Sequence, residues 1–550
     1  MAITAITIEN FKGIREPVRV ELKPITLLFG PNSAGKSTIV QALHYAREIF
    51  ERQNLNPDRT LLGGDSIDLG GFESLVHGHD LTLPVTLRFD LDLSDEDLPR
   101  YLEGYEDFGL MRWQESDLWD IPENVNSAWV EVTVRWSDLR GQPLLSSYRV
   151  GINGEDLATL EGTGDGRQVN LSKIELFNPV FLEDVSPDEA RKNFAKFLSG
   201  ENLEDLDAGL EYIAKMKIAS PLFGFLKGDG ELAGITKGIA LAGQKSAMPE
   251  WGRTLKLDRA MWNEETTFEE EGNFIQLISS LITGPGELVR DALRKLCYVG
   301  PLRVVPKRGH RPSTSPEESR WANGLAAYDT LFFSDDAFIG KVNTWLTREE
   351  RLASGYSVEV KKYRELEADN PLILAMLQGR ILDEEADLRD TLLAIPIKRR
   401  LLIRDEARDI ELAPQDIGVG ISQVLPVVVA ALHQKTGLVA IEQPELHIHP
   451  AFQVALGDLF IEQVRERPDL TFILETHSEH LMLRFLRRIR ETGENVAPDN
   501  RSLTPAELSV YFIEKGDRGI SCFSIRVDED GDFIDRWPKG FFNERVKELY

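Results

Sequence analysis

Residues 27–37 read L-L-F-G-P-N-S-A-G-K-S, and their reading decides the fold. An apolar run (25–29) feeds a Gly-rich turn (30–35). Lys36 and Ser37 follow, then a helix-compatible segment (38–50). This order fits G-x-x-x-x-G-K-[ST], a loop that cradles phosphate. Gly30 and Gly35 let successive backbone N–H groups converge on phosphate oxygens. The following helix directs its positive end to the same place. Lys36 supplies a point charge for the outer phosphates, and the Ser37 hydroxyl is placed to ligate Mg²⁺. The expected nucleotide contacts are Asn32, Ser33, Ala34, Gly35, Lys36, Ser37 and Thr38.

Outward from this loop, residues 3–11 alternate as a half-buried strand, and 18–22 and 25–29 read as two more. Residues 83–93, 128–136, 147–152 and 169–177 also read as strands, most of them with one wet face. Helical spacing takes over in 188–198, 202–217 and 274–296, without the sustained heptads of a long coiled-coil arm. The strand–helix alternation beyond residue 437 predicts a parallel core sheet. The expected organisation is a first ATPase lobe with a β-rich subdomain at 1–180 and a mainly helical insertion at 181–296. A second ATPase lobe follows at 297–490, and a hairpin–helix extension at 491–550.

Within the second lobe, a buried strand (438–441) runs into E-Q-P-E-L-H-I-H-P (442–450), and another (470–474) into E-T-H-S-E-H (475–480). A carboxylate at the end of such a strand is where a P-loop site holds Mg²⁺, which points to Glu442. His477 is placed to reach a γ-phosphate. Upstream, G-V-G-I-S-Q (418–423) opens an apolar helix over 424–434, whose first turn must accommodate Pro426. His447, His449, His477 and His480 have spacings too weak to argue for zinc. Asp528, Asp530 and Asp532 carry an ordinary D-G hairpin signal.

The chain has 550 residues, with 91 Asp+Glu against 63 Lys+Arg and a net charge of −28. That balance argues against a surface broadly coated for nucleic acid. It leaves a local contact at Arg303, Lys307 and Arg308 beside a polar Pro/Ser-rich stretch (310–320). Two cysteines cannot build a disulfide framework, which fits a reducing compartment. The longest apolar run, nine residues at 424–432, is well short of the roughly 20 of a membrane helix. A cytoplasmic protein is expected, with no membrane association.

Together, I-T-I-E-N-F-K-G (6–13), G-P-N-S-A-G-K-S (30–37), 418–423, 438–450 and T-H-S (476–478) resemble the ABC-type ATPases of the RecF/SMC/OLD group. Y-V-G-P-L-R (298–303) and the ending D-x-W-P-x-G-F-F (535–542) resemble a prokaryotic subfamily of AAA-family ATPases with an uncharacterised C-terminal domain. The resemblance implies an α/β P-loop NTPase fold of ABC-ATPase type, with an antiparallel β lobe and an inserted helical region. It implies ATP and Mg²⁺ as cofactors and a head-to-tail dimer, in which Gly420 and Ser422 of one protomer face the ATP of the other. Members of the wider group often serve in phage defence beside a separately encoded effector, commonly a nuclease. The alternative it carries is a DNA-end-binding repair or recombination ATPase.

The sequence departs from the group's pattern after Glu442. Gln443 stands where a glutamate is usual, and a neutral amide cannot act as a general base. Either Gln443 orients the attacking water, as in some GTPases, or Glu445 takes the basic role. Slow hydrolysis is the expectation, with Gln443, Glu445 and His477 as the catalytic group and Ser37 and Glu442 as the Mg²⁺ ligands. The sequence after His477 is expected to be too short for the nuclease domain that some OLD-type relatives carry.

Overall fold

The computed structural model describes residues 2–101, 120–175, 177–182, 239–257, 268–308, 311–314, 317–370, 392–516 and 518–538, with isolated positions between them. The helices expected at 188–198 and 202–217 lie almost wholly outside the described residues.

Along the chain, β1 (Ala2–Glu9), β2 (Val18–Glu21), β3 (Ile25–Phe29) and β4 (Val85–Asp92) come first. Four longer strands follow: β5 (Ser127–Ser137), β6 (Gln142–Ile152), β7 (Glu155–Gly162) and β8 (Val169–Ile174). Short strands β9 (Leu226–Lys227) and β10 (Glu231–Leu232) pair with each other, and β11 (Ile239–Ala240) pairs with β8. The antiparallel lobe is thus an eight-stranded sheet in the order β11-β8-β7-β6-β5-β4-β1-β2. Val85–Asp92 shows why it has one wet face, since its side chains alternate strictly between buried and partly exposed.

The second sheet carries the nucleotide loop. Its members are β3 with β12 (Cys297–Val299), β16 (Gly437–Glu442), β17 (Leu470–Glu475), β18 (Leu508–Gly516) and β19 (Gly519–Ser524), in the order β12-β16-β17-β3-β18-β19. All neighbours are parallel except β18 and β19. Buried side chains alternate between two cores across it. Leu28, Ala440 and Ile473 enter the core shared with the antiparallel sheet and the helices Lys36–Arg52 and Phe268–Arg294. Leu27, Ile441 and Leu474 enter the core beneath the helices Val419–His433, Pro450–Glu466 and Glu479–Gly493. A parallel sheet covered on both faces reads as continuous apolar runs, which is how these strands appear in the sequence.

Three features differ from the sequence reading. β18 is an inner strand of the core sheet beside β3, whereas the sequence assigns 491–550 to an extension; its first six residues are all buried, as a central strand requires. The helix Phe268–Arg294 sits in the core, with its Ile282 carbonyl accepting from Tyr148 Oη at 2.7 Å. Pro426 lies in the interior of the helix Val419–His433, because that helix starts at Val419, five residues before the apolar run. Proline removes one helical N–H there. The nearby Gln423 carbonyl accepts from Arg303 at 3.2 Å.

A small sheet that periodicity leaves unread is formed by β13 (Tyr356–Tyr363), β14 (Lys398–Asp405) and β15 (Ile410–Leu412), all antiparallel.

Candidate nucleotide site

The parallel order of β16, β17 and β3 brings the ends of three strands together, as open α/β sheets do for their ligands. The loop after β3 bends through Gly30 (φ 152°), Ser33 (φ 60°) and Gly35 (φ 99°). A Cβ at Gly30 would overlap the Ile513 carbonyl of β18, and one at Gly35 would overlap the Ile520 side chain of β19. Both glycines are therefore fixed by chain direction and by close approach. The C-terminal hairpin forms the floor of the phosphate loop.

Lys36 is 4% exposed. Its Nζ donates to the Gly30 and Pro31 carbonyls, at 3.1 and 3.0 Å, and stands 3.9 Å from Glu475 Oε1. Burial lowers its pKa, against the pull of the surrounding carboxylates. Ser37 Oγ donates to Glu475 Oε2 at 2.7 Å and lies 3.3 Å from Glu442 Oε2. The other Glu442 oxygen accepts from Tyr298 Oη at 2.9 Å. Two buried carboxylates thus meet at the P-loop hydroxyl. That donor set fits a hard divalent cation, for which Ser37, Glu442 and Glu475 would be the protein's oxygens.

Burial, followed by the neighbouring Glu475, raises Glu442 from 4.5 to about 7, and burial also raises Glu475. A carboxyl whose pKa is higher folded than unfolded contributes stability that is complete below the unfolded value and lost as pH rises through the folded one. In metal chelator and without nucleotide, Glu442→Gln is therefore expected to melt close to wild type at pH 5 and above it at pH 8. The expected gap is roughly 2–4 °C for a chain this large. Thermal melts at the two pH values check this, and a pH-independent gap contradicts it.

Arg303 anchors the turn after β16. Its guanidinium donates to the carbonyls of Glu442 (2.7 Å), Gln443 (3.0 Å) and Gln423 (3.2 Å). Its own carbonyl accepts from Gln423 Nε2 at 2.8 Å. It is 4% exposed, which overturns the expectation of Arg303 as a nucleic-acid contact; Lys307 and Arg308 remain at the surface. Gln443 has a left-handed backbone (φ 46°), and its N–H donates to the Glu475 carbonyl at 2.7 Å. Glu445 Oε1 accepts from the His477 N–H at 2.7 Å, while Glu445 Oε2 and His477 Nε2 are buried without a hydrogen-bond partner. Burial raises the Glu445 carboxyl and lowers the His477 imidazole to about 4, with Lys36 a second cause at His477. At neutral pH the imidazole is uncharged and can donate one ring N–H.

The structure thus brings Lys36, Ser37, Glu442, Glu445 and His477 together. It separates Ser422 from the role expected of it. Ser422 is 2% exposed, and its hydroxyl donates to the Val419 carbonyl at 2.8 Å, so it faces its own helix. Gly420 is partly exposed near the helix start. His449 caps the helix Pro450–Glu466 by accepting from the Ala451 N–H at 3.2 Å. Asp528 Oδ1 accepts from the N–H groups of Asp530 and Asp532, closing a turn. Sequence reasoning missed Glu475 and Tyr298. Glu475 ends its buried strand as Glu442 does, a signal that parallel register alone makes available.

Such a site, a lysine and hydroxyl on a glycine loop facing strand-end carboxylates, defines a P-loop ATPase, and the family comparisons agree. Residues 1–65 match "AAA ATPase domain", residues 301–483 match "AAA domain, putative AbiEii toxin, Type IV TA system", and residues 503–550 match "Protein of unknown function (DUF3696)". More particularly, two segments of the chain resemble AAA-family ATPase domains, and a third, at 503–550, resembles DUF3696. No curated protein matches it in sequence. Solved structures similar to it include the SMC head bound to the C-terminal winged-helix domain of ScpA (11% identity, 96% of this chain and 99% of that one, TM-score 0.37). Another is the SMC head domain from Thermotoga maritima (8% identity, 96% and 100%, TM-score 0.33). The assignment of fold rests on the sheet order and the phosphate loop. No helix among the described residues is long and apolar enough to cross a membrane.

Proposed function

We propose that the protein is an ATP-binding and slowly hydrolysing ABC-type subunit that dimerises head-to-tail around ATP. In this reading it regulates or drives a separately encoded effector, a nuclease, in anti-phage defence in the cytoplasm. The observation that carries it is the convergence of Glu442 and Glu475 on Ser37 beside Lys36. The toxin description of the family matched by residues 301–483 supports the defence setting.

In the mechanism, backbone N–H groups of residues 32–38 and Lys36 bind the phosphates, with Lys36 Nζ leaving the Gly30 and Pro31 carbonyls it now caps. Ser37, Glu442 and Glu475 would hold Mg²⁺, which when bound would supply charge neutralisation at the phosphates. Tyr298 holds Glu442 in place, and Arg303 fixes the carbonyls on either side of the Gln443 peptide N–H. Glu445 Oε2 takes the proton of the attacking water, and His477 steadies the γ-phosphate. Gln443 sits on a constrained turn and orients water without accepting its proton.

The dimer reading draws support from exposed apolar side chains beside the nucleotide turn. Leu302 (76% exposed) and Val304 (47%) flank Arg303, and Val419 (60%) opens the helix to which Arg303 is bonded. Light scattering of the full chain should show monomer without nucleotide and dimer with Mg²⁺ and a non-hydrolysable ATP analogue. Leu302→Asp combined with Val419→Asp should abolish the dimer while the monomer still binds nucleotide, losing only the share of affinity that dimerisation adds. A variant that dimerises normally contradicts the assigned face.

A further inference from the structure

The small sheet β13-β14-β15 carries a charge pattern opposite to the rest of the chain. Strands β13 and β14 contain Lys361, Lys362, Lys398, Arg399, Arg400 and Arg404 against Glu359 and Asp405, in a protein of net charge −28. The register sets Lys361 opposite Arg400 and Tyr363 opposite Lys398, so these four share one face. Several of the cations pair with acids at the rim: Lys361 with Glu411, Lys398 with Glu365, and Lys362 with Asp336 at 3.7 Å. Pairs this exposed are weak and exchange readily for another anion.

At the end of this ribbon lies a cavity of about 400 Å³. Lys307, Arg308, Arg399 and Arg400 bring positive charge to it, and Tyr328, Phe332 and Tyr363 bring rings. The Arg400 guanidinium sits 5.1 Å from the Tyr363 ring centroid. Arg308 donates to Asp416 at 2.7 Å across exposed surface, and Arg399 donates to the Phe332 carbonyl at 3.0 Å. Tyr328 is 1% exposed, and its hydroxyl is buried with no hydrogen-bond partner. A buried hydroxyl that the protein leaves unpaired is costly, and this one belongs to a residue lining the cavity. Cations and rings around a cavity of this size suit a nucleotide, with phosphate on the guanidinium groups and base on an aromatic face.

We propose that this cavity and the adjoining β13–β14 ribbon bind single-stranded nucleic acid. One nucleotide enters the cavity, and the flanking phosphates run along Lys361, Lys398 and Arg400. The continuation of positive charge beyond the cavity favours a strand over a free nucleotide, which shares the same phosphate and base chemistry. The site is separate from the P-loop and stands or falls independently of the ATPase reading.

The test is fluorescence anisotropy of a labelled 12-residue oligothymidylate titrated with the full chain without ATP, between 50 and 200 mM NaCl. Saturable binding that weakens steeply with salt is expected, with log K falling by about 0.7 per phosphate contact for each decade of salt. Lys307→Glu combined with Arg400→Glu, both at exposed positions, should weaken binding at least tenfold. Tyr363→Ser should weaken it roughly fivefold or more, as loss of one stacked base does. All variants should melt, and bind Mg²⁺–ATP, as wild type does. Binding that ignores the charge reversals, or absence of binding at 50 mM NaCl, overturns the site. Displacement of the oligomer by thymidine monophosphate at a similar concentration overturns the strand in favour of a free nucleotide.

Discussion

Arg303→Ala is expected to lower stability on the order of 3–5 kcal/mol and to abolish nucleotide turnover. The side chain is buried and donates to three carbonyls, on Gln423, Glu442 and Gln443. Two of these lie in the turn that carries the candidate metal carboxylate, and the third lies in the helix that Pro426 interrupts. Truncation removes a charged donor from all three carbonyls, and each hydrogen bond to a charged group contributes about 1.5–3 kcal/mol. Arg303→Lys recovers little, because one ammonium cannot reproduce the planar fork. Denaturant unfolding followed by a nucleotide-binding titration checks this. A variant that melts like wild type would return Arg303 to the surface role expected of it from sequence.

Glu445→Gln is expected to lower the rate of the chemical step about a hundredfold, within the range of a lost general base. Glu445 has the features that the work requires. One oxygen is held by the His477 N–H, the other is buried and unpartnered, and burial raises its affinity for a proton. Gln443 has none of them: its amide is neutral, and its backbone is committed to a left-handed turn bonded to Glu475. Gln443→Ala is accordingly expected to cost less than about tenfold, the loss of a water-orienting contact. The same carboxamide at 445 preserves shape and hydrogen bonding, so nucleotide affinity should be unchanged. That separates a chemical role from a structural one.

Much of the nucleotide half was legible in the sequence because its signals are local. The glycine spacing at 30–37, the acid after the apolar 438–441 and the histidine after 470–474 each sit within a few residues of the strand that positions them. Glu475 was equally local but hidden, because its meaning depends on β16 and β17 running side by side in register, a long-range fact. Arg303 was misread for a related reason: a cation beside Gly-Pro and a polar loop looks exposed, and only the packing of β12 next to β16 buries it. Ser422 looked like a signature hydroxyl by position, yet helix phase turns it inward. The sheet of β13, β14 and β15 was not read because β13 and β14 carry charge on both faces, which leaves no apolar period to follow.

Single-turnover hydrolysis of ATP in the presence of Mg²⁺, with enzyme in excess, tests the central claim most directly, since it isolates chemistry from release. Wild type should convert bound ATP to ADP slowly but completely. Glu445→Gln should fall about a hundredfold and Gln443→Ala by less than tenfold, with equal nucleotide affinity in all three. A rate lost in Gln443→Ala and kept in Glu445→Gln, or ATP left intact for hours by wild type, would contradict it.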